Sequence, residues 1–129
     1  RKHDGTTLTP AWTTTSINEN SNWTAAEDPC TIELGSPWRI PTLTEWTNVD
    51  NAYNWTTWSG PFSSALKIHA AGNLGTSNGA LSGRGSAGYY WSSAQNSNTT
   101  ASALTSYSAD CSMNSYSKPV GFTVRCIKE

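Results

Sequence analysis

Two apolar, strand-like stretches close this chain, with an almost wholly polar tract strung between them. From Gly88 the sequence runs Gly-Tyr-Tyr-Trp-Ser-Ser, and from Gly121 it runs Gly-Phe-Thr-Val-Arg-Cys-Ile. Residues 96–117 between them are nearly all Ser, Asn, Thr, Ala and Tyr, with a single Asp, Cys, Leu and Met. Neither a hydrophobic core nor a catalytic centre is normally built from that set. Binding loops are: Tyr supplies rigid contact area, and Ser and Asn supply adaptable hydrogen bonds. The alternative is a disordered linker, since polar low-complexity tracts bury too little to offset chain entropy. Flanks that return the chain to one core favour the binding loop.

A length of 129 residues suits one domain spanning residues 1–129, with 1–27 as a lead-in and 88–129 as the binding region. Leu and Ile are few while 7 Trp and 5 Tyr are present, so the core must be assembled largely from rings. Each such ring buries about 150–250 Å². A formal net charge of −1 leaves no electrostatic footprint for nucleic acid or an anionic membrane. No apolar run approaches the roughly 20 residues of a membrane span and no signal-peptide pattern is visible, so direct membrane insertion is not expected. Because Arg1 is not a natural start, the expectation is a processed chain or a piece of a longer protein.

The three cysteines, Cys30, Cys111 and Cys126, allow one bridge and one spare thiol. A Cys30–Cys126 bridge ties the first half to the last strand, closing a loop of roughly 95 residues worth about 4–5 kcal/mol in the chain-entropy model. Cys111, inside the polar tract, is the candidate free thiol.

Along the chain, Asp4-Gly5 and Pro10 make the first ten residues turn-rich, and His3 beside Asp4 has no further partner in sequence. Trp12 and Trp23 read as core plugs around a short helix or irregular loop. Gly35-Ser36-Pro37 turns the chain into Trp38-Arg39-Ile40-Pro41. Thr42 then serves as N-cap with Glu45 at N3, a capping box, and Leu43, Trp46 and Val49 share one helical face ending near residues 50–53. Arg39 is placed for a structural salt bridge. Trp55 and Trp58 lie in an aromatic loop, either as core or as a sugar-stacking platform. Residues 65–72 alternate enough to predict a half-buried strand in which His69 is structural. A glycine-rich loop follows, and strands are predicted over 102–107, 111–117 and 122–127, with turns at Ala109-Asp110 and residues 118–121.

Catalytic signatures are missing. There is no phosphate-cradling glycine loop, His-x-x-x-His pair or Cys-x-x-Cys. The 9 acidic residues do not cluster as a calcium loop. Asp50 and Asp110 stand apart, each near a turn, so no acid–base pair is signalled. Neither enzyme activity, a cofactor nor a metal is expected. The three Asn-x-Thr sequons, at Asn22, Asn54 and Asn98, acquire meaning only in a eukaryotic secretory route.

Pro29-Cys30, Trp38-Arg39-Ile40-Pro41-Thr42-x-x-Glu45-Trp46, Leu66-Lys67-Ile68-His69-Ala70-Ala71-Gly72, Gly88-Tyr89-Tyr90-Trp91-Ser92-Ser93 and Gly121-Phe122-Thr123-Val124-Arg125-Cys126-Ile127 run in that order. Together they resemble the Fibrobacter-type major paralogous domain of Bacteroidetes and their phages, in the formylglycine-generating-enzyme branch of the C-type lectin fold. The resemblance covers roughly residues 28–129. It implies an α+β domain with a small twisted antiparallel sheet, one or two helices and long loops. Several proteins of this branch are variable proteins of diversity-generating retroelements, in which adenine-directed mutagenesis rewrites codons such as AAC. Codons ending in C yield Ser, Asn, Thr, Ala, Tyr, Asp and Cys but not Met, so the tract fits with Met113 as a fixed framework position. The close cysteine pair of the formylglycine-generating enzymes and the Glu-Pro-Asn, Gln-Pro-Asp and Trp-Asn-Asp motifs of calcium-dependent lectins are absent.

These readings converge on a non-catalytic receptor-binding domain, extracellular, on a bacterial surface or a phage tail tip. Its partner would be a surface protein or glycan, not nucleic acid, and it would belong to a longer or oligomeric assembly. The framework is Trp38, Trp46, Trp91, Phe122 and the Cys30–Cys126 bridge. Strand alternation assigns Ser102, Ala103, Thr105, Tyr107, Ala109, Asp110, Ser112, Asn114 and Tyr116 to the contact face. Gln95, Asn96 and Asn98 stand at its edge, and Tyr107 and Tyr116 are the anchors. The alternatives are a carbohydrate-binding module using Trp55 and Trp58, and a formylglycine-generating-type enzyme with a reactive thiol at Cys111 or Cys126.

Overall fold

The computed structural model describes residues 16–129. Its helices are α1 (Pro29–Leu34), α2 (Leu43–Tyr53) and α3 (Ser59–Ser63). Its strands are β1 (Trp38–Arg39), β2 (Asn73–Leu74), β3 (Leu81–Ser82), β4 (Gly88–Gln95), β5 (Thr100–Ser106), β6 (Cys111–Ser117) and β7 (Ile127–Lys128). The strands pair antiparallel as β1–β7, β2–β3 and β4–β5–β6. The class is α+β, as the sequence implies. His3, Asp4 and Trp12 lie outside the described residues.

The capping box forms at the start of α2. Thr42 Oγ1 accepts from the Glu45 amide at 3.2 Å, and Glu45 Oε2 accepts from the Thr42 amide at 2.8 Å. Arg39 supplies the expected ion pair: it donates to both Glu45 oxygens at 2.8 Å and to Glu129 at 2.6 Å, joining β1, α2 and the C-terminal end. The guanidinium, acting first through these hydrogen bonds, holds the Glu45 carboxyl down at about 2. The helix stops where Asn54 turns left-handed at φ 48°.

Asp28, which the sequence reading passes over, is a second local organiser. It is buried, caps α1 by accepting from the Cys30 amide at 2.8 Å, and accepts from the Ile40 amide at 2.8 Å with its other oxygen. It thereby fixes α1 against the strand that leads into α2. Cys30 bonds Cys126 across a sequence separation of 96, and Cys111 is free and buried.

The core lies between α2 and one face of β4–β5–β6. It contains Trp46, Trp55, Ile68, Tyr90, Leu104 and Cys111, with Val49, Leu66 and Met113 packed against it. Of the predicted helical face, Leu43 stays exposed while Trp46 is buried. Gly88 admits a close approach: a Cβ there would lie 2.7 Å from Ser106 Oγ and 3.0 Å from the His69 carbonyl.

Two predicted strands are corrected. Residues 65–72 are loop, because Lys67 takes a positive φ of 49° and the Ile68 amide turns to the Pro61 carbonyl instead of a neighbouring strand. The alternating pattern there reflects Ile68 plugging the core, not a pleat. The predicted strand over 122–127 is mostly irregular. Thr123 makes an isolated bridge to Tyr90, and regular pairing resumes only in β7.

Candidate functional site

The register of the central sheet sorts the polar tract onto two faces. Tyr89 pairs with Thr105 and Thr105 with Ser112; Trp91 pairs with Ala103 and Ala103 with Asn114; Ala101 pairs with Tyr116. Successive strand side chains alternate faces, so these residues share the side away from α2. Tyr90, Leu104 and Met113 take the α2 side. Cys111–Ser117 is an edge strand of the sheet, and on its outer face Asn114 is exposed while Ser112 and Tyr116 are half-buried.

On this face the rings form a cluster. Tyr89 stacks on Phe122 with centroids 4.6 Å apart and meets Tyr107 and Tyr116 edge-on at 5.7 and 5.9 Å. Phe122 also contacts Trp91 at 4.5 Å and Tyr116 at 5.0 Å. The Tyr107 and Tyr116 hydroxyls lie 2.9 Å apart. Burial, reinforced by the hydroxyls of Tyr116 and Tyr89, raises the Tyr107 pKa well above the phenol range, so Tyr107 acts as a neutral hydroxyl. The sequence reading found Tyr107 and Tyr116 but not Tyr89. Its place on the outer face follows from alternation with the buried Tyr90.

Beside the rings runs a strip of linked polar side chains. Thr105 Oγ1 donates to the Ser112 carbonyl at 3.1 Å, and Ser112 Oγ donates to Asp110 Oδ2 at 2.6 Å. Asn114 Nδ2 donates to Thr105 Oγ1 at 2.8 Å and to Ser112 Oγ at 3.0 Å. Both hydroxyls have already committed their protons, so the amide must turn its NH₂ toward them and its oxygen outward. Asp110 and Asn114 are exposed.

The structure thus brings Tyr107, Asp110, Ser112, Asn114 and Tyr116 together. Ala109 is exposed in the adjoining turn. Three expected contact residues are displaced from solvent. Ala103 and Thr105 face the right way but are fully buried, at 0% exposure, because β5 is the middle strand under neighbouring side chains. Ser102 is buried on the opposite face, where its hydroxyl bonds Asn96 Oδ1 and its carbonyl accepts from Ser92 Oγ. Gln95 is held by Lys118, which donates to its Oε1 at 2.8 Å, while its backbone N–H donates to Asn22 Oδ1. Asn98 is exposed, and its carbonyl accepts from the Glu19 amide. This edge therefore anchors residues 16–27 to the sheet.

An open groove of about 840 Å³ borders Phe122 and is lined by Trp23, Leu74, Leu81, Trp91 and Val124 among others. Trp55 is buried in the core at 5% exposure and stacks on Tyr53, so Trp55 and Trp58 do not form an exposed platform. Cys126 is bridged, and burial with the nearby Asp50 carboxylate pushes the Cys111 thiol up to about 12, leaving almost no thiolate at neutral pH. Among the described residues no three His, Cys, Asp or Glu side chains gather to hold a metal ion, and no helix is long and apolar enough to cross a membrane. No protein-family model, curated protein or solved structure matches the chain.

Proposed function

We propose that this chain is a non-catalytic ligand-binding domain of C-type lectin type. It presents the outer face of β4–β5–β6 to a receptor on another surface, from a bacterial cell-surface protein or a phage tail tip. The observation that carries the reading is the division of the tract: exposed Asp110 and Asn114 join Ser112, Tyr107 and Tyr116 on one side, while Leu104 and Met113 turn to the core. Met113, the one tract residue outside the set of codons ending in C, is on the framework side. Residues there are constrained by packing, whereas the Ser112 and Asn114 side chains are tied to one another, Asp110 and Thr105 by hydrogen bonds that other side chains can replace. The disulfide suits an oxidising compartment, as expected of a protein displayed outside the cell.

Sequencing the DNA flanking the gene tests this reading. The expected finding is a near-identical template copy of the 3′ end beside a reverse transcriptase. Its adenines should differ from the gene at the codons for Tyr107, Asp110, Ser112, Asn114 and Tyr116. A copy whose mismatches fall at Leu104, Cys111 and Met113, or no copy at all, would remove diversification from the account.

A further inference from the structure

The hydrogen-bond inventory of the outer face also limits what can bind there. Thr105 and Ser112 spend their hydroxyl protons on the Ser112 carbonyl and Asp110, and Asn114 spends its two amide protons on Thr105 and Ser112. Among the described residues nothing donates to Asn114 Oδ1. Asp110 keeps free lone pairs, since it accepts through one oxygen from Ser112 and is otherwise exposed. The strip therefore offers acceptors and a negative charge, and the donors left on this face belong to the tyrosine hydroxyls beside it. Among the described residues Asp110 makes no salt bridge, and no Lys, Arg or His occurs between residues 100 and 117.

We infer that this face takes an arginine-bearing segment of a partner protein, with the guanidinium donating to Asn114 Oδ1 and the Asp110 carboxylate beside the Tyr107–Tyr116 rings. The inference rests on the reading of this face as the binding site. Three features favour arginine over other groups. Asp110 and Asn114 bond the same Ser112 oxygen and so flank it, and a guanidinium carries enough N–H donors to share between acceptors on both residues. The π faces of neighbouring tyrosines attract a cation, and the delocalised guanidinium stacks on them better than a strongly hydrated ammonium. An anionic or acceptor-only group would meet Asp110 and Asn114 with no proton to share, leaving polar groups desolvated and unpaired.

A library of random 12-residue peptides displayed on phage, selected on the immobilised chain, provides the test. The expected result is enrichment of peptides with a shared arginine. Replacing that arginine by citrulline, which keeps the shape and removes the charge, should weaken binding at least tenfold. Asp110→Asn should weaken it about fivefold and Asp110→Lys should abolish it. Both variants alter an exposed turn residue, and an unchanged melting temperature checks that they fold. Enriched peptides that lose binding to Ser112→Trp but lack arginine and ignore Asp110→Asn would overturn the ligand class while leaving the face as the site. Enriched peptides indifferent to Ser112→Trp and Asp110→Lys would overturn both. Failure to enrich any arginine-bearing peptide also overturns the inference.

Discussion

The two faces of β4–β5–β6 are written by one polar tract yet hold the molecule together very differently. On the α2 side, Leu104 is 1% exposed among Trp46, Trp55 and Tyr90, and even the cysteine serves as an apolar filler. On the outer side, β6 contributes Ser112 and Asn114, whose side chains are held by hydrogen bonds that water could replace. Dispersion and burial depend on fit to within a methylene, whereas an exposed hydrogen bond contributes little net stability. One side of the strand is therefore locked and the other is free to change. The aromatic cluster sits between these extremes, packed enough to stabilise and open enough to touch a ligand.

Loss of the Cys30–Cys126 bridge should cost most. Closing a 96-residue separation is worth about 4.7 kcal/mol in the chain-entropy model, so the Cys30→Ala/Cys126→Ala pair should melt far below the parent in calorimetry. Leu104→Ala on the inner face should follow at about 2–5 kcal/mol by urea denaturation. A cost below about 1 kcal/mol would mean that the inner face is no core. Tyr116→Ala should be intermediate, about 1–3 kcal/mol, because the ring loses edge contacts to Tyr89 and Phe122. Tyr107 and Tyr116, the proposed anchors, are thus also part of the framework, a role that strand alternation alone did not disclose.

How far the sequence was legible follows the same division. Local rules located α2 through Thr42 and Glu45, the bounds of β6, and the arginine that would be paired, since each depends on neighbours a few residues away. Alternation also put Ser112, Asn114 and Tyr116 on one face. It could not tell that β5 is the middle strand, which is why Thr105 and Ala103 are buried despite facing outward. Strand order is a long-range property that no period of two encodes. The loop at 65–72 misled for a similar reason: Ile68 is apolar because of where tertiary packing carries it.

Two carboxylates sharpen the contrast through pH. Burial raises the Asp50 carboxyl above its ordinary value; the Cys111 thiol opposes the rise and the Asp110 charge adds to it. Its folded form prefers the proton, so its favourable contribution is full below the ordinary carboxylate range and is lost as pH rises through the raised value. Asp50→Asn should remove that loss and raise the melting temperature at neutral pH. Glu45 behaves oppositely: its contribution is present above the ordinary value of 4.5 and disappears as pH falls through about 2. Glu45→Gln should cost about 1 kcal/mol at neutral pH, since cap and ion pair are both partly solvated. The smallest effects belong to the outer strip, where Ser112→Ala and Asn114→Ser should change stability by no more than about 0.5 kcal/mol.

Saturation mutagenesis of β5 and β6 with a folded-display readout tests the division of faces most directly. Surface display scored with a conformation-specific antibody should find Asp110, Ser112 and Asn114 accepting most residues, while Leu104, Cys111 and Met113 accept only a few apolar ones. Equal intolerance on both sides, or freer substitution at Leu104 than at Asn114, would contradict the assignment of the outer face as a variable binding surface.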